Sequence, residues 1–166
     1  MRIVFKTGLA ALAVGLLSAL AAPVGMHVAN AKTSVRPDGV VRLKSAYGFQ
    51  ETITRLKADI ESKGIKFFAE IDQSELGAAA GITLKPSTLL VFGNPPLGIQ
   101  FLTSNPDSGL DWPVRLLVNQ DQSGQVWAVY TDFGWIARRH HITNRGPQFK
   151  MASEVIASIT SSVVRK

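Results

Sequence analysis

Cysteine is missing from all 166 residues. Its absence excludes disulfides, a thiol nucleophile, thiolate-bound zinc, iron–sulfur clusters, covalent c-type haem and a lipid-anchored N-terminal cysteine. Charge is scarce as well: Asp, Glu, Lys and Arg make up 18% of the chain, against 46% apolar residues. A disordered chain needs the opposite balance. A chain of 166 residues is enough for one domain with a buried core. The general catalytic signatures are missing too: there is no G-x-S-x-G, G-x-G-x-x-G, P-loop or H-E-x-x-H. Histidine is rare, and beyond Ala31 only His140 and His141 remain.

The first 31 residues form an object of their own. Arg2 and Lys6 open it, and no charge follows until Lys32. Gly8 to Ala22 is Leu, Ala, Val and Gly broken only by Ser18, and Pro23 and Gly25 then end any helix. Ala29-Asn30-Ala31 fits a small-x-small exit. A charged start, an apolar middle and a small-residue exit make a secretory signal. A spanning helix needs roughly 20 apolar residues, and Pro23 and Gly25 stand where it should continue. The expectation is cleavage after Ala31, a periplasmic or secreted product, and membrane contact only through the signal before cleavage. Losing Arg2 and Lys6 lowers the net charge from +6 to +4. So mild an excess is no nucleic-acid footprint, and no nucleic-acid partner is expected.

From Lys32 to Gly39 the chain is polar, with Pro37, and reads as a flexible lead-in. A single domain is expected over residues 40–166. Val40 to Tyr47 alternates as a first strand. Phe49, Ile53, Leu56 and Ile60 recur at helical spacing, so Phe49 to Lys63 is a helix with Gly64 at its C-terminal cap. Ile65 to Ile71 follows as a strand. Asp72 caps a short helix from Ser74 to Ala80, which Gly81 ends. Leu89 to Phe92 is a buried strand, broken by Gly93-Asn94-Pro95-Pro96. Leu97 to Asn105 forms a short helix. Val114 to Val118 and Gln125 to Thr131 are strands of a hairpin turning at Asp121 to Gly124. Phe133 to Arg139 makes one or two helical turns. A last helix starts near Pro147 and presents Phe149, Ala152, Ile156, Ile159 and Val163 as one stripe. This order predicts an α+β fold with helices on one face of a mainly antiparallel sheet. Leu90, Phe92, Leu117 and Trp127 are expected in its core, covered by Ile53, Leu56, Ile156 and Ile159.

Few residues carry chemistry. His140 and His141 are adjacent, so their side chains diverge and do not close on one metal. No metal site and no cofactor are expected. Arg138-Arg139-His140-His141 is the densest cationic run, and guanidinium forks suit an anion or carboxylate. His140 is the histidine expected to face inward, toward the strand end near Asn94, with Arg139 and His141 in solvent. Asn94 ends a buried strand, where sites gather. Trp112 and Trp135 flank loops and can line a pocket or an interface.

Several segments together resemble the domain-of-unknown-function 302 (DUF302) family. They are Ile71-Asp72, Ala80-Gly81-Ile82, Leu84 to Thr88, and the block Leu89-Leu90-Val91-Phe92-Gly93-Asn94-Pro95. Asp111-Trp112-Pro113, Leu116-Leu117-Val118, Val126-Trp127 to Tyr130 with Asp132, and Arg138-Arg139-His140 complete the set. The resemblance spans about residues 45–163. It implies a fold like that of the TATA-binding protein, a curved antiparallel sheet with helices against it, and no established activity. It also implies a His after the Ile-Asp pair, where this chain has Gln73.

Three functions follow as expectations. The first is a non-enzymatic periplasmic binding or accessory domain. Asn94, Trp112, Arg138, Arg139 and His140 would meet a small anionic or apolar ligand. The second is a small hydrolase or isomerase, with His140 as base, Asp72 or Asp132 as orienting carboxylate and Asn94 as oxyanion donor. The third is a homodimeric interaction module. A dry apolar groove favours the first, convergence of Asp72, Asn94, Asp132 and His140 in one cleft the second, and a large exposed apolar patch the third.

Overall fold

The spacing of four, three and four from Phe49 to Ile60 produces helix α1 (Phe49–Ser62), which buries Thr52, Ile53, Leu56 and Ile60 on one side. Gly64 follows at φ +63°, the left-handed conformation that glycine takes without Cβ strain. The computed structural model describes residues 35–164. The expected signal segment 1–31 and cleavage point lie outside them, as does the start of the lead-in. Within the lead-in, Gly39 N–H donates to the Arg36 carbonyl at 2.9 Å and Val40 N–H to Asp38 Oδ1 at 3.0 Å, closing a turn before the first strand.

That strand is β1 (Val40–Lys44). After α1 come β2 (Lys66–Asp72), α2 (Gln73–Ala79), β3 (Ser87–Gly93), α3 (Pro95–Leu102) and a 3-10 turn over Pro106–Leu110. The hairpin β4 (Val114–Gln120) and β5 (Val126–Thr131) follows, then α4 (Phe133–Arg139) and α5 (Gly146–Val164). The five strands form one curved, wholly antiparallel sheet in the order β1-β5-β4-β3-β2. The fold is α+β, as expected. Gly124 holds the hairpin turn at φ +84°, and α5 buries the expected stripe with Thr160 added.

The core lies on one face of the sheet. Leu90, Phe92, Leu116, Val118, Val126 and Ala128 meet α1 and α5 there, with Leu56, Leu90, Leu116 and Ile159 wholly out of solvent. Two expected core residues are corrected. Leu117 and Trp127 sit on the opposite face and are only half-buried. Side chains alternate along a strand, so Leu116 and Val118 facing the helices turn Leu117 away. The Trp127 indole instead donates to Asp121 Oδ2 at 2.7 Å and lies 4.5 Å beneath the Arg42 guanidinium. On that second face Ile71, Leu89, Leu117 and Val129 stand in register across four strands. A bulge between Phe67 and Ala69 interrupts β2 at its sheet edge.

Candidate functional site

Strand β3 ends at Gly93, and the chain turns through Asn94 into α3. Pro95 and Pro96 occupy the first helical positions, where a missing N–H costs nothing. The Asn94 carbonyl accepts from Gly98 N–H at 2.8 Å, while its exposed side chain makes no capping bond. Beside this turn, bounded also by β4 and α5, lies a cavity of about 400 Å3. Apolar side chains make most of its wall, among them Phe92, Leu97, Phe101, Val114, Phe133 and Val155. Asn94 and the Trp112 indole complete one side. The indole fits only because of two glycines. A Cβ on Gly98 would stand 1.8 Å from Trp112 Nε1, and one on Gly93 would stand 3.1 Å from it.

The residue before Trp112 anchors a second cluster. The Asp111 side chain is 3% exposed and that of His140 is 5% exposed, and His140 Nε2–H donates to Asp111 Oδ2 at 2.6 Å. Arg115 Nη2 donates to Asp111 Oδ1 at 3.1 Å, and Arg139 Nη1 to both carboxylate oxygens at 3.3 and 3.1 Å. The Asn105 carboxamide donates to the His140 carbonyl at 2.9 Å. The cluster therefore ties the 3-10 turn, β4 and the end of α4 to one buried carboxylate. Among the described residues no group of three acidic, histidine or cysteine side chains is placed to hold a metal. A His–Asp pair has the types for general base work, yet here both carboxylate oxygens are already occupied.

The expected site residues divide accordingly. Asn94 and Trp112 share the cavity, and Arg139 and His140 share Asp111. His140 faces inward and His141 outward as expected, but the partner of His140 is Asp111 and not a group beside Asn94. Arg138 is exposed. Asp72 accepts from Ser74 N–H at 2.8 Å and Glu75 N–H at 3.0 Å as the cap of α2. The Glu75 amide is the largest cause holding its carboxyl below the usual range. Asp72 pairs with Thr88 at the start of β3, so the strand's length, about 20 Å, separates it from Asn94. Asp132 lies at the Asn94 end of the sheet but two strands across, and it caps α4 through Trp135 N–H at 2.7 Å. The expected catalytic set is thus dispersed by the topology, with Asp111 in the place proposed for Asp72 or Asp132. Gln73 accepts from the Ser87 hydroxyl at 2.7 Å at the Asp72 end of the sheet, remote from His140. Asp111 was visible in the sequence only as the neighbour of Trp112. A useful signal was the run Arg138–His141, which lacks any local acid to balance it.

Residues 41–163 match the family described as "Domain of unknown function DUF302". The chain belongs to the DUF302 family. A crystal structure of an uncharacterized conserved DUF302 protein from Bacillus stearothermophilus shares the fold. Its TM-score is 0.68 at 17% identity, covering 75% of this chain and 98% of that one. Among curated proteins, this DUF302 chain is 34% identical over 117 residues to the fluoride-specific ion channel FluC 1 of Brucella suis biovar 1. It is equally similar to FluC 2 of Brucella melitensis biotype 1. The match covers 70% of this chain but only 46% and 43% of those proteins. The chain thus spans less than half the length of the curated relatives it matches, and the DUF302 assignment carries the fold without an activity.

Proposed function

We propose that this DUF302 chain is an exported, non-enzymatic binding domain whose ligand is a small apolar molecule. The apolar cavity of about 400 Å3 carries the reading. It falls within the roughly 300–1,000 Å3 of ligand pockets, which are lined mostly by apolar and aromatic side chains with a few polar groups. The dispersal of Asp72, Asn94, Asp132 and His140 supports binding over catalysis. So does the role of His140 as a tie to Asp111. Export rests on the pattern of residues 1–31 and on nothing in the described fold.

The test of binding is titration of the mature chain with N-phenyl-1-naphthylamine, a neutral fluorescent probe. The wild type should saturate at one equivalent. Val155→Trp, which fills the cavity from α5, should lose the probe and keep or raise its melting temperature, with Ala152→Leu as the second filling variant. Saturation unaffected by either folded variant would place the probe elsewhere and remove the reading. Export is tested separately, by intact mass of protein from the periplasmic fraction. A chain beginning at Lys32 is expected; one retaining Met1 in the membrane pellet counts against export.

A further inference from the structure

We infer that the cavity's ligand is neutral and carries a hydrogen-bond acceptor, such as a ketone or ester carbonyl, seated against the Trp112 indole N–H. The inference rests on the apolar-ligand reading and adds the chemistry of the ligand's polar end. Charge comes first. Two ionisable residues line the cavity, Lys63 and Glu154. Lys63 Nζ lies 2.6 Å from Asp59 Oδ2, and the well-exposed Glu154 faces Lys150 at 3.9 Å. Each cavity charge has an opposite charge beside it. A charged ligand would leave water for an apolar wall with no counter-ion, which is costly.

The unpaired polar groups point to an acceptor. Trp112 Nε1–H donates to no protein group in the described structure. An indole N–H is a donor only, and Trp112 is half-buried, so its N–H is left to solvent or to a ligand. Gly98 and Gly93 pack against the indole around Nε1, where a Cβ would stand 1.8 and 3.1 Å from it. The Asn94 carboxamide, also without a capping bond, stands on the same wall and offers a second donor. The Ser158 hydroxyl lies exposed at the rim. An apolar body among Phe92, Phe101 and Phe133, with one carbonyl turned to Trp112, fits these groups.

The experiment compares benzophenone with diphenylmethane, which differ by a single carbonyl, in displacing N-phenyl-1-naphthylamine from the full mature chain. Benzophenone should compete about tenfold better, the ratio one hydrogen bond supplies. In 15N-correlated spectra it alone should shift the Trp112 indole N–H resonance downfield. Trp112→Phe should bring the ratio near one while retaining diphenylmethane. If Trp112→Phe does not fold, the wild-type ratio and indole shift decide, with that resonance identified through Trp127→Phe and Trp135→Phe. Equal competition with an unmoved resonance overturns the acceptor and leaves the apolar-ligand reading standing. Failure of the naphthylamine, benzophenone and diphenylmethane all to bind overturns the two together.

Discussion

His140 Nε2 lies 2.6 Å from Asp111 Oδ2, and both side chains are buried. These residues are 29 apart in sequence and join the entry of β4 to the end of α4. Removing the imidazole leaves a buried carboxylate short of a donor. His140→Ala should therefore cost about 1–3 kcal/mol in urea unfolding. The exposed His141→Ala should stay within about 0.5 kcal/mol. Equal, negligible losses in both variants would show that the pair does not hold the fold.

The two faces of the sheet give a second contrast. Leu90 is fully buried under the helices, and Leu117 is half-buried on the other face. Leu90→Ala should cost roughly 2–5 kcal/mol, as for other core truncations that open a cavity. Leu117→Ala should cost about 1 kcal/mol, the centre of the general distribution. The check is a pair of urea curves with matched slopes. A larger loss at Leu117 would mean that its face is covered in solution.

Gly98 offers a cycle with Trp112. Gly98→Ala places a methyl group 1.8 Å from Nε1 in the native arrangement, so the indole must move. Overpacking of this kind costs about 1–3 kcal/mol, and tryptophan emission should shift with it. In a Trp112→Ala background the same change should be neutral or stabilising by up to about 1 kcal/mol, since Ala is the better helix former. Additive losses in the double variant would show that the two residues do not touch.

Asp121 gives a pH dependence. Its carboxylate accepts from the Ser123 hydroxyl at 2.6 Å and the Trp127 indole at 2.7 Å, which with backbone donors lower its pKa to about 2. The unfolded value is about 3.9. A lowered folded value stabilises the native state above the unfolded pKa, and that contribution is lost as pH falls from about 4 through about 2. Carbon NMR titration of the Asp121 carboxyl should give a midpoint near 2, and Asp121→Asn should flatten the melting temperature across that window. A midpoint at the ordinary value would mean that the hairpin contacts do not form in solution.

Legibility in the sequence followed the range of the interaction. The stripes of α1 and α5 were readable because one face of each helix is apolar and the other is not. Gly64, Gly81 and Gly124 were readable because a positive φ has few other occupants. Strand facing in the hairpin was not. In Leu116-Leu117-Val118 and Val126-Trp127-Ala128-Val129 both parities are apolar, so alternation alone cannot choose which side meets the helices. The Asp111–His140 tie was hidden for a different reason. Each member lies in its own turn, and only folding brings a carboxylate to the Arg138–His141 run. The cavity was the least legible feature of all. Asn94 and Trp112 marked its wall, but its volume arises where β3, α3, β4 and α5 come together, which no local pattern shows.

The strand order also sets a schedule. β1 and β2 stand at opposite edges, and β1 pairs only with β5, whose last residue is Thr131. Among the described residues, β1 therefore has no strand partner until β5. While β5 is still to be made, β1 has no strand to pair with, although β2, β3 and β4 can already pair beneath α1. Closure of such distant partners is slow. For the export route we propose, this delay is useful. A chain whose first strand waits for its fifth would complete its sheet only late, when the hairpin receives the earliest strand.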